Sequence, residues 1–269
     1  MTAVVMDRTA QRVTQVRVIR SEWVKLWTLR STVFSLLAAV LFILGFAVLI
    51  PSVTVTHWPP RDVHEALTFD PTTRSLAGVF LAQLAIGTLG VLLVTGEYAT
   101  GMIRATLAAV PKRLPVLWGK LVVFALTTLV LTVPSTIAAF FIGQSILHRK
   151  SLDTAFSSAG VSRAVIGAAL YLAVVGLLGI GLGTLLRNTA GGISTLFGLL
   201  FVLPILVRFL PSSWSDPVSK YLPSNAGTAI LQVRADPTVL APWTGFAVFC
   251  GYAAAVVVLA AVVLKRRDA

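Results

Sequence analysis

Long apolar runs separated by short polar segments dominate the chain. Six of these runs approach or exceed the roughly 20 residues that a helix needs to cross the hydrocarbon core of a bilayer. The pattern predicts spans at about 31–51, 75–95, 116–146, 164–186, 190–208 and 243–264. Pro134 lies inside the third run, where its missing N–H can kink a helix. The prediction is an all-α integral membrane protein with a transmembrane domain over 31–264.

The segment before the first run, residues 1–30, has an amphipathic pattern. Its apolar residues recur at spacings of three and four, while polar residues fall on the other faces: Val16, Ile19, Trp23, Leu26 and Trp27 against Arg17, Ser21, Glu22, Lys25 and Thr28. This is typical of a helix lying in the membrane interface, with Trp23, Lys25 and Trp27 as the interfacial residues. The alternative, which is compatible with it, is that these residues only anchor the first span.

The distribution of charge predicts the orientation of the spans. Hydrophobic residues make up 57% of the 269 positions and charged residues 12%, with 22 Lys and Arg against 10 Asp and Glu. A nucleic-acid-binding protein concentrates its positive charge on a polar domain, whereas these charges lie between apolar runs, so no nucleic-acid partner is expected. With both termini cytoplasmic, including the tail 265–269, fourteen Lys and Arg residues lie inside and eight outside. Positively charged cytoplasmic loops favour this topology.

The outer loop 209–242 is predicted to contain a re-entrant segment. Five prolines divide it into short pieces: Pro211, Pro217, Pro223, Pro237 and Pro242. Six apolar residues between them can bring the backbone back toward the membrane: Val218, Tyr221, Leu222, Ile230, Leu231 and Val233. Such backbone is tolerated at membrane depth only where protein covers it.

Motifs for catalysis or metal binding are absent from the sequence. There is no G-x-x-x-x-G-K-[ST] loop to hold nucleotide phosphates, and the single cysteine, Cys250, and three separated histidines form no metal-ligand pattern. We therefore expect no catalytic residue, no metal site and no enzyme activity in this chain. The spans are also nearly free of the buried charges of an ion-coupled carrier, with Lys120 and Arg208 near span ends.

A few polar residues within the spans are candidates for a solute path. They are Gln83, Thr88, Thr128, Thr132 and Thr136. The last three fall four residues apart on one face of the third span. Small hydroxyl side chains also let helices pack closely, so helix packing is the alternative interpretation of this stripe.

A short helix is predicted directly after the second span, over about 97–110. It leaves the span at Gly96 and ends before Pro111, with Glu97 at its start and Glu97 and Thr100 facing away from the membrane. Tyr98 and Met102 lie one turn apart on it. A helix that is held by the membrane domain and exposed to the cytoplasm can transmit force from a soluble motor.

The segment 96–104 (GEYATGMIR), placed after the second of six spans, resembles the ABC-2 type permeases. These proteins are the membrane subunits of a large class of ATP-binding-cassette exporters. The segment 21–26 (SEWVKL) before the first span and the segment 222–227 (LPSNAG) in the last outer loop add to the resemblance.

The resemblance implies roles for several segments. The helix after the second span is then the coupling helix that docks on an ATPase, through Glu97, Tyr98, Thr100, Gly101, Met102, Ile103 and Arg104. The tail is an interfacial connecting helix, and the last outer loop holds short re-entrant helices. Two permease copies, expected to be identical, bind two copies of a soluble ATPase that carries the ATP and Mg²⁺. The second and fifth spans line the solute path between them.

The resemblance also implies export across the cytoplasmic (inner) membrane of a bacterial cell. The family carries drugs, peptides, polysaccharides, lipids and haem, and the scarcity of buried charge here favours an apolar or amphipathic solute such as a drug, lipid or peptide. The alternative function is a scaffold or sensor subunit that binds an ABC ATPase but transports nothing. A solute effect on ATP hydrolysis would separate the two.

Overall fold

The computed structural model describes residues 14–60, 62–109, 113–234 and 236–266. Within helices, the side chains at 64–66, 104, 107, 109 and 212 lie outside this description. The described chain is 82% helical and contains no strand. Its helices are α1 Gln15–Thr28, α2 Arg30–Thr56, α3 Val63–Thr68, α4 Pro71–Ser75, α5 Val79–Ala99, α6 Met102–Ala109, α7 Leu114–Leu147, α8 Val161–Leu186, α9 Thr189–Phe197, α10 Leu203–Val207, α11 Ser212–Ser219, α12 Pro223–Thr228 and α13 Pro242–Arg266.

Six helical segments in the described chain are long and apolar enough to cross a membrane. They are α2, α5, α7, α8, the segment Thr189–Val207 and α13. The segment Thr189–Val207 joins α9 to α10 through one π-helical turn at Gly198–Val202. The prediction of an all-α, six-span architecture is confirmed, and these spans indicate a multi-pass membrane protein. The third span runs unbroken through Pro134.

Helix α8 is the centre of the bundle, with α5, α7 and α13 packed around it. Its contact with α5 depends on glycine. A Cβ on Gly90 would lie 2.2 Å from the carbonyl oxygen of Gly176, and a Cβ on Gly179 would lie 2.5 Å from that of Gly87. Only residues without a side chain permit such an approach of two helix backbones.

The segment between the fifth and sixth spans folds back into the bundle between α8 and α13. Helix α12 and the 3₁₀ turn Ala229–Leu231 pack on both helices, and Leu222 and Ile230 are buried. The Arg163 guanidinium, from α8, donates to the carbonyls of Ile230 and Gln232 at 3.0 and 2.8 Å. The backbone of this segment is thus covered by protein. Among the six apolar residues expected to dip inward, Val218 and Tyr221 are instead exposed.

Candidate functional site

Four charged side chains from three helices meet where α5 ends and α7 begins. Glu22 and Lys25 lie one turn apart on α1, and Glu97 lies in the last turn of α5. Lys120 lies in the second turn of α7, next to Gly119, whose missing side chain lets α1 approach α7 at Val18. Glu22, Lys25, Glu97 and Lys120 are called the charge cluster below.

Each lysine of the charge cluster contacts both glutamates. The Lys120 ammonium donates to Glu22 Oε2 at 2.6 Å and to Glu97 Oε1 at 2.9 Å. The Lys25 ammonium donates to Glu22 Oε1 at 2.8 Å and to the same Glu97 Oε1 at 3.1 Å. Two acids and two bases therefore form a closed ring without net charge.

Most of the charge cluster is removed from solvent. Glu22, Glu97 and Lys120 are only 3%, 5% and 4% exposed, whereas Lys25 is partly exposed. The second carboxylate oxygen of Glu97 is buried and has no hydrogen-bond partner among the described residues. Removing one member of such a buried ion pair typically costs about 3–5 kcal/mol, because the other charge stays behind without compensation. The arrangement is stable only when complete.

The ionisation of the two α1 residues reflects these contacts. Burial alone raises the pKa of the Glu22 carboxyl, but the charges and hydrogen bonds of Lys120 and Lys25 together outweigh burial and hold this pKa below its ordinary value. Burial alone lowers the pKa of the Lys25 ammonium, but Glu22 and Glu97 outweigh it and raise this pKa. Both groups are therefore charged at neutral pH.

The charge cluster also contacts helix α6. The Lys25 ammonium lies 3.1 Å from Thr106 Oγ1, so one cation bonds α1, α5 and α6 together. On the same side of α6, Ile103 is buried against Val18 of α1 and Val116 of α7. Helix α6 is thus held by a polar contact and an apolar contact one turn apart.

The opposite side of α6 is open. Met102, Ala105 and Ala108 are exposed, and Thr100 is exposed at the junction with α5. Gly101 makes this junction with a φ of +72°, a left-handed conformation that costs little only for glycine. A sharp turn therefore presents a short helix whose outer side has no partner in the described chain.

Tyr98 connects the same junction to the end of α8. The Arg187 guanidinium lies 5.1 Å from the centre of the Tyr98 ring, within the range of a cation–π contact. Arg187 is the C-cap residue of α8 and has a φ of +53°. The α5–α6 junction is consequently in contact with α1, α7 and α8.

Two details of the predicted coupling segment are wrong. The helix begins at Met102 and not at Glu97, because the backbone turns sharply at Gly101. Glu97 belongs to α5 and is buried, although it was expected to start a helix and to face away from the membrane. Its carboxylate lies at the negative end of the α5 dipole, an unfavourable position that the two lysines offset. The Arg104 side chain lies outside the described residues.

Helix α1 is present as expected, but its buried face differs from the prediction. Trp23 and Trp27 are exposed and their rings lie 5.8 Å apart. Val18 and Leu26 are buried, and Glu22, which was assigned to a polar face, is buried with them. The reason is that Lys120 supplies a counter-charge on the surface that α1 covers.

The candidate solute-path residues fall in separate places. Gln83 is buried and accepts a hydrogen bond from the Tyr171 hydroxyl, and both line a cavity of about 280 Å³ beside Phe80 and Thr228. Thr88, on the same helix as Gln83, is partly buried.

The threonine stripe of the third span is buried within the chain. Thr128, Thr132 and Thr136 are at most 1% exposed, and the hydroxyls of Thr132 and Thr136 donate to carbonyls of their own helix. This burial favours the helix-packing interpretation of the stripe.

Glu22 and Lys120 were not predicted to be members of the site. A usable signal existed for Lys120, which lies inside the third predicted span, while Glu97 lies only two residues beyond the second. Opposite charges at the same membrane depth can pair. The sequence does not indicate which of them share a depth and a side of the bundle.

No family model matches the sequence, and no curated protein matches it.

Proposed function

We propose that the chain is the membrane subunit of an ABC-2 type ATP-binding-cassette transporter, driven by a separate ATPase. The observation that supports this best is the way in which α6 is attached to the other helices. One side of this short helix is fixed by Ile103 and by the charge cluster, and the other side is open to a partner. In this proposal α6 is the coupling helix.

The way α6 is mounted suits the transmission of force. A helix moved by an ATPase does work on the spans only if its attachment is stiffer than the spans' own packing. Lys25 bonds Thr106 of α6 and Glu97 of α5 at the same time, and Lys120 joins Glu97 to α7. A displacement of α6 would therefore reach two spans through short contacts, without a flexible loop between them.

Two of the segments that carry the family resemblance meet at this site. The segment 21–26 contributes Glu22 and Lys25, and the segment 96–104 contributes Glu97, although some 70 residues separate them in the chain. Their contact gives the resemblance a physical basis, because residues of both segments are needed to keep the charge cluster neutral.

The remaining assignments follow from the same proposal. Two copies of the chain bind two ATPase subunits, which bind ATP and Mg²⁺, in the cytoplasmic membrane of a bacterium with both termini inside. An apolar or amphipathic solute moves outward between the copies, along α5 and the span Thr189–Val207. The cavity beside Gln83 and Tyr171 would lie on this path, toward its outer end.

Site-specific crosslinking tests the docking surface. In a Cys250→Ala background the chain has no other cysteine, so Ala105→Cys or Ala108→Cys would place one thiol on the open side of α6. We expect a bifunctional thiol reagent to join this position to the copurified ATPase, and the crosslink to suppress solute-stimulated ATP hydrolysis. Ser215→Cys, partly exposed on α11 and on the opposite side of the membrane in this topology, is the matched control.

Two results would count against the proposal. Crosslinking from α6 that is no stronger than from Ser215→Cys would exclude α6 as the docking element. Specific crosslinking without any effect of candidate solutes on hydrolysis would instead favour the scaffold or sensor function.

A further inference from the structure

An apolar groove of about 370 Å³ lies between α7 and α13, with α8 as its floor. Helices α7 and α13 both pack on α8 but make little contact with each other, so the groove opens on the outer surface of the bundle. Its lining is almost entirely carbon: Trp118, Leu121, Val122 and Ala125 of α7, Val174 and Leu177 of α8, and Cys250, Ala253, Ala254, Val257 and Val258 of α13.

Small side chains create the groove. Ala125 on one wall and Ala253 and Ala254 on the other leave the space that larger residues would fill. In a membrane an apolar groove does not stay empty, because lost dispersion contacts favour any chain that fills it. Its narrow shape between two helices suits one flexible hydrocarbon chain better than the wide side of another helix.

The groove has a basic rim at one end. Lys265 and Arg266 are exposed in the last turn of α13, seven and eight residues beyond Val258, which is about 10–12 Å along a helix. At the same end, the Arg113 guanidinium donates to the Leu264 carbonyl at 3.2 Å and so joins the start of α7 to the end of α13. The described stretches 113–126 and 250–266 contain no acidic residue.

We propose that this groove binds an acyl chain of an anionic phospholipid whose phosphate lies at Lys265 and Arg266. Basic residues at the membrane surface attract anionic lipids, and the distance between groove and rim matches a chain that continues into a headgroup. Two copies of this protein meeting at this face would bring their basic rims together, which disfavours self-association here. The inference does not depend on the transport function.

A photoreactive lipid tests the proposal directly. The purified full-length chain would be placed in phosphatidylcholine nanodiscs with a small share of phosphatidylglycerol that carries a diazirine in its acyl chain. We expect crosslinks to map to 118–125 and 250–258. Unlabelled phosphatidylglycerol should compete about five- to thirtyfold better than phosphatidylcholine, since each of the two basic residues contributes about fivefold.

Matched variants separate the groove from the rim. Ala254→Leu should fill the groove and remove most of the crosslinking, whereas Ala255→Leu, exposed on the same helix outside the lining, should not. The double variant Lys265→Gln, Arg266→Gln should keep the crosslinks but lose the preference for phosphatidylglycerol. Arg20→Gln with Arg30→Gln removes two exposed charges elsewhere and should leave the preference unchanged.

Three results would overturn the proposal. Crosslinks spread evenly over other exposed apolar surfaces, such as Phe34 and Leu41 of α2, would show only bulk lipid contact. Equal competition by both lipids would exclude a headgroup site. Equal effects of Ala254→Leu and Ala255→Leu would place the chain outside the groove.

Discussion

Replacing Lys120 by methionine tests the charge cluster most directly. Methionine approximates the apolar stem of lysine but removes the charge, so Lys120→Met leaves Glu22 and Glu97 buried with only Lys25 to compensate them. Both carboxylates bond the same Lys25 ammonium, at 2.8 and 3.1 Å. At a separation of about 6 Å or less and an effective dielectric constant of about 20, their repulsion reaches about 3 kcal/mol or more.

Protonation limits the loss. Neutralising one carboxyl with an ordinary pKa near 4.3 costs about 3.7 kcal/mol at pH 7 but only about 1 kcal/mol at pH 5. The free energy of unfolding of Lys120→Met should therefore be about 3–4 kcal/mol lower at pH 7, as is typical when one partner of a buried ion pair is removed. The loss should shrink as the pH falls to 5, because protonation of a buried carboxyl removes the charge that the missing ammonium compensated.

Thermal unfolding in detergent, followed by tryptophan fluorescence, measures this effect. At about 2–4 °C per kcal/mol for a chain of this size, Lys120→Met should melt about 6–16 °C below the unmodified protein at pH 7. Adding Glu22→Gln should recover part of the difference by removing one of the two competing carboxylates. Lys150→Met removes an exposed lysine and serves as the control.

Two outcomes would refute the reasoning. A melting temperature of Lys120→Met equal to that of Lys150→Met at pH 7 would mean that the four groups do not meet in a dry environment. If the melting temperature of Lys120→Met is lowered by the same amount at pH 5 and pH 7, the loss of stability comes from packing and not from uncompensated carboxylates.

Three further predictions concern backbone geometry and pH. Gly101→Leu should lower the free energy of unfolding by about 1–2 kcal/mol, because φ is +72° there, whereas Gly101→Asn should lower it less, since asparagine tolerates this conformation. Thermal melting measures this loss, and under the proposed function Gly101→Leu should also reduce solute-stimulated ATP hydrolysis. Gly90→Leu should prevent recovery of folded protein in size-exclusion chromatography, because its side chain meets the α8 backbone, whereas Gly251→Leu, with open space around it, should fold. The melting temperature should decrease as the pH is lowered below 4.5 toward the lowered pKa of Glu22. It should also decrease as the pH is raised above 10.5 toward the raised pKa of Lys25.

The six spans were predictable because hydropathy alone identifies a segment that must leave water. The residue at which the second span ends could not be predicted in this way. Hydropathy placed it at about residue 95, ahead of the charge on Glu97, whereas α5 continues to Ala99. An isolated carboxylate would end a span there, but Lys25 and Lys120 neutralise this one. A span boundary set by tertiary ion pairing is invisible to any window along the chain.

Tertiary ion pairing is also the reason why the residues of the site could not be predicted from the sequence. Lys120 bonds Glu22 and Glu97, which lie 98 and 23 positions away in the sequence. Read alone, Lys120 is a long side chain near a span end that can reach the headgroups. Glu22 likewise fits the polar side of an amphipathic helix. Each local interpretation is physically sound, and only the packing of α1 on α7 replaces both with a buried ion pair.

The charge cluster either only stabilises the fold or also transmits force, and a substitution at Thr106 separates these two roles. Thr106→Val keeps the shape of the side chain and removes the contact of its hydroxyl with the Lys25 ammonium at 3.1 Å, while the ion pairs stay intact. The loss should be about 1 kcal/mol, so the melting temperature should change by only a few degrees. If the contact carries force from α6, solute-stimulated hydrolysis should fall several-fold with the complex still assembled. Thr28→Val, which removes an exposed hydroxyl of α1, is the control. Hydrolysis equal in the two variants would leave the charge cluster a structural feature only.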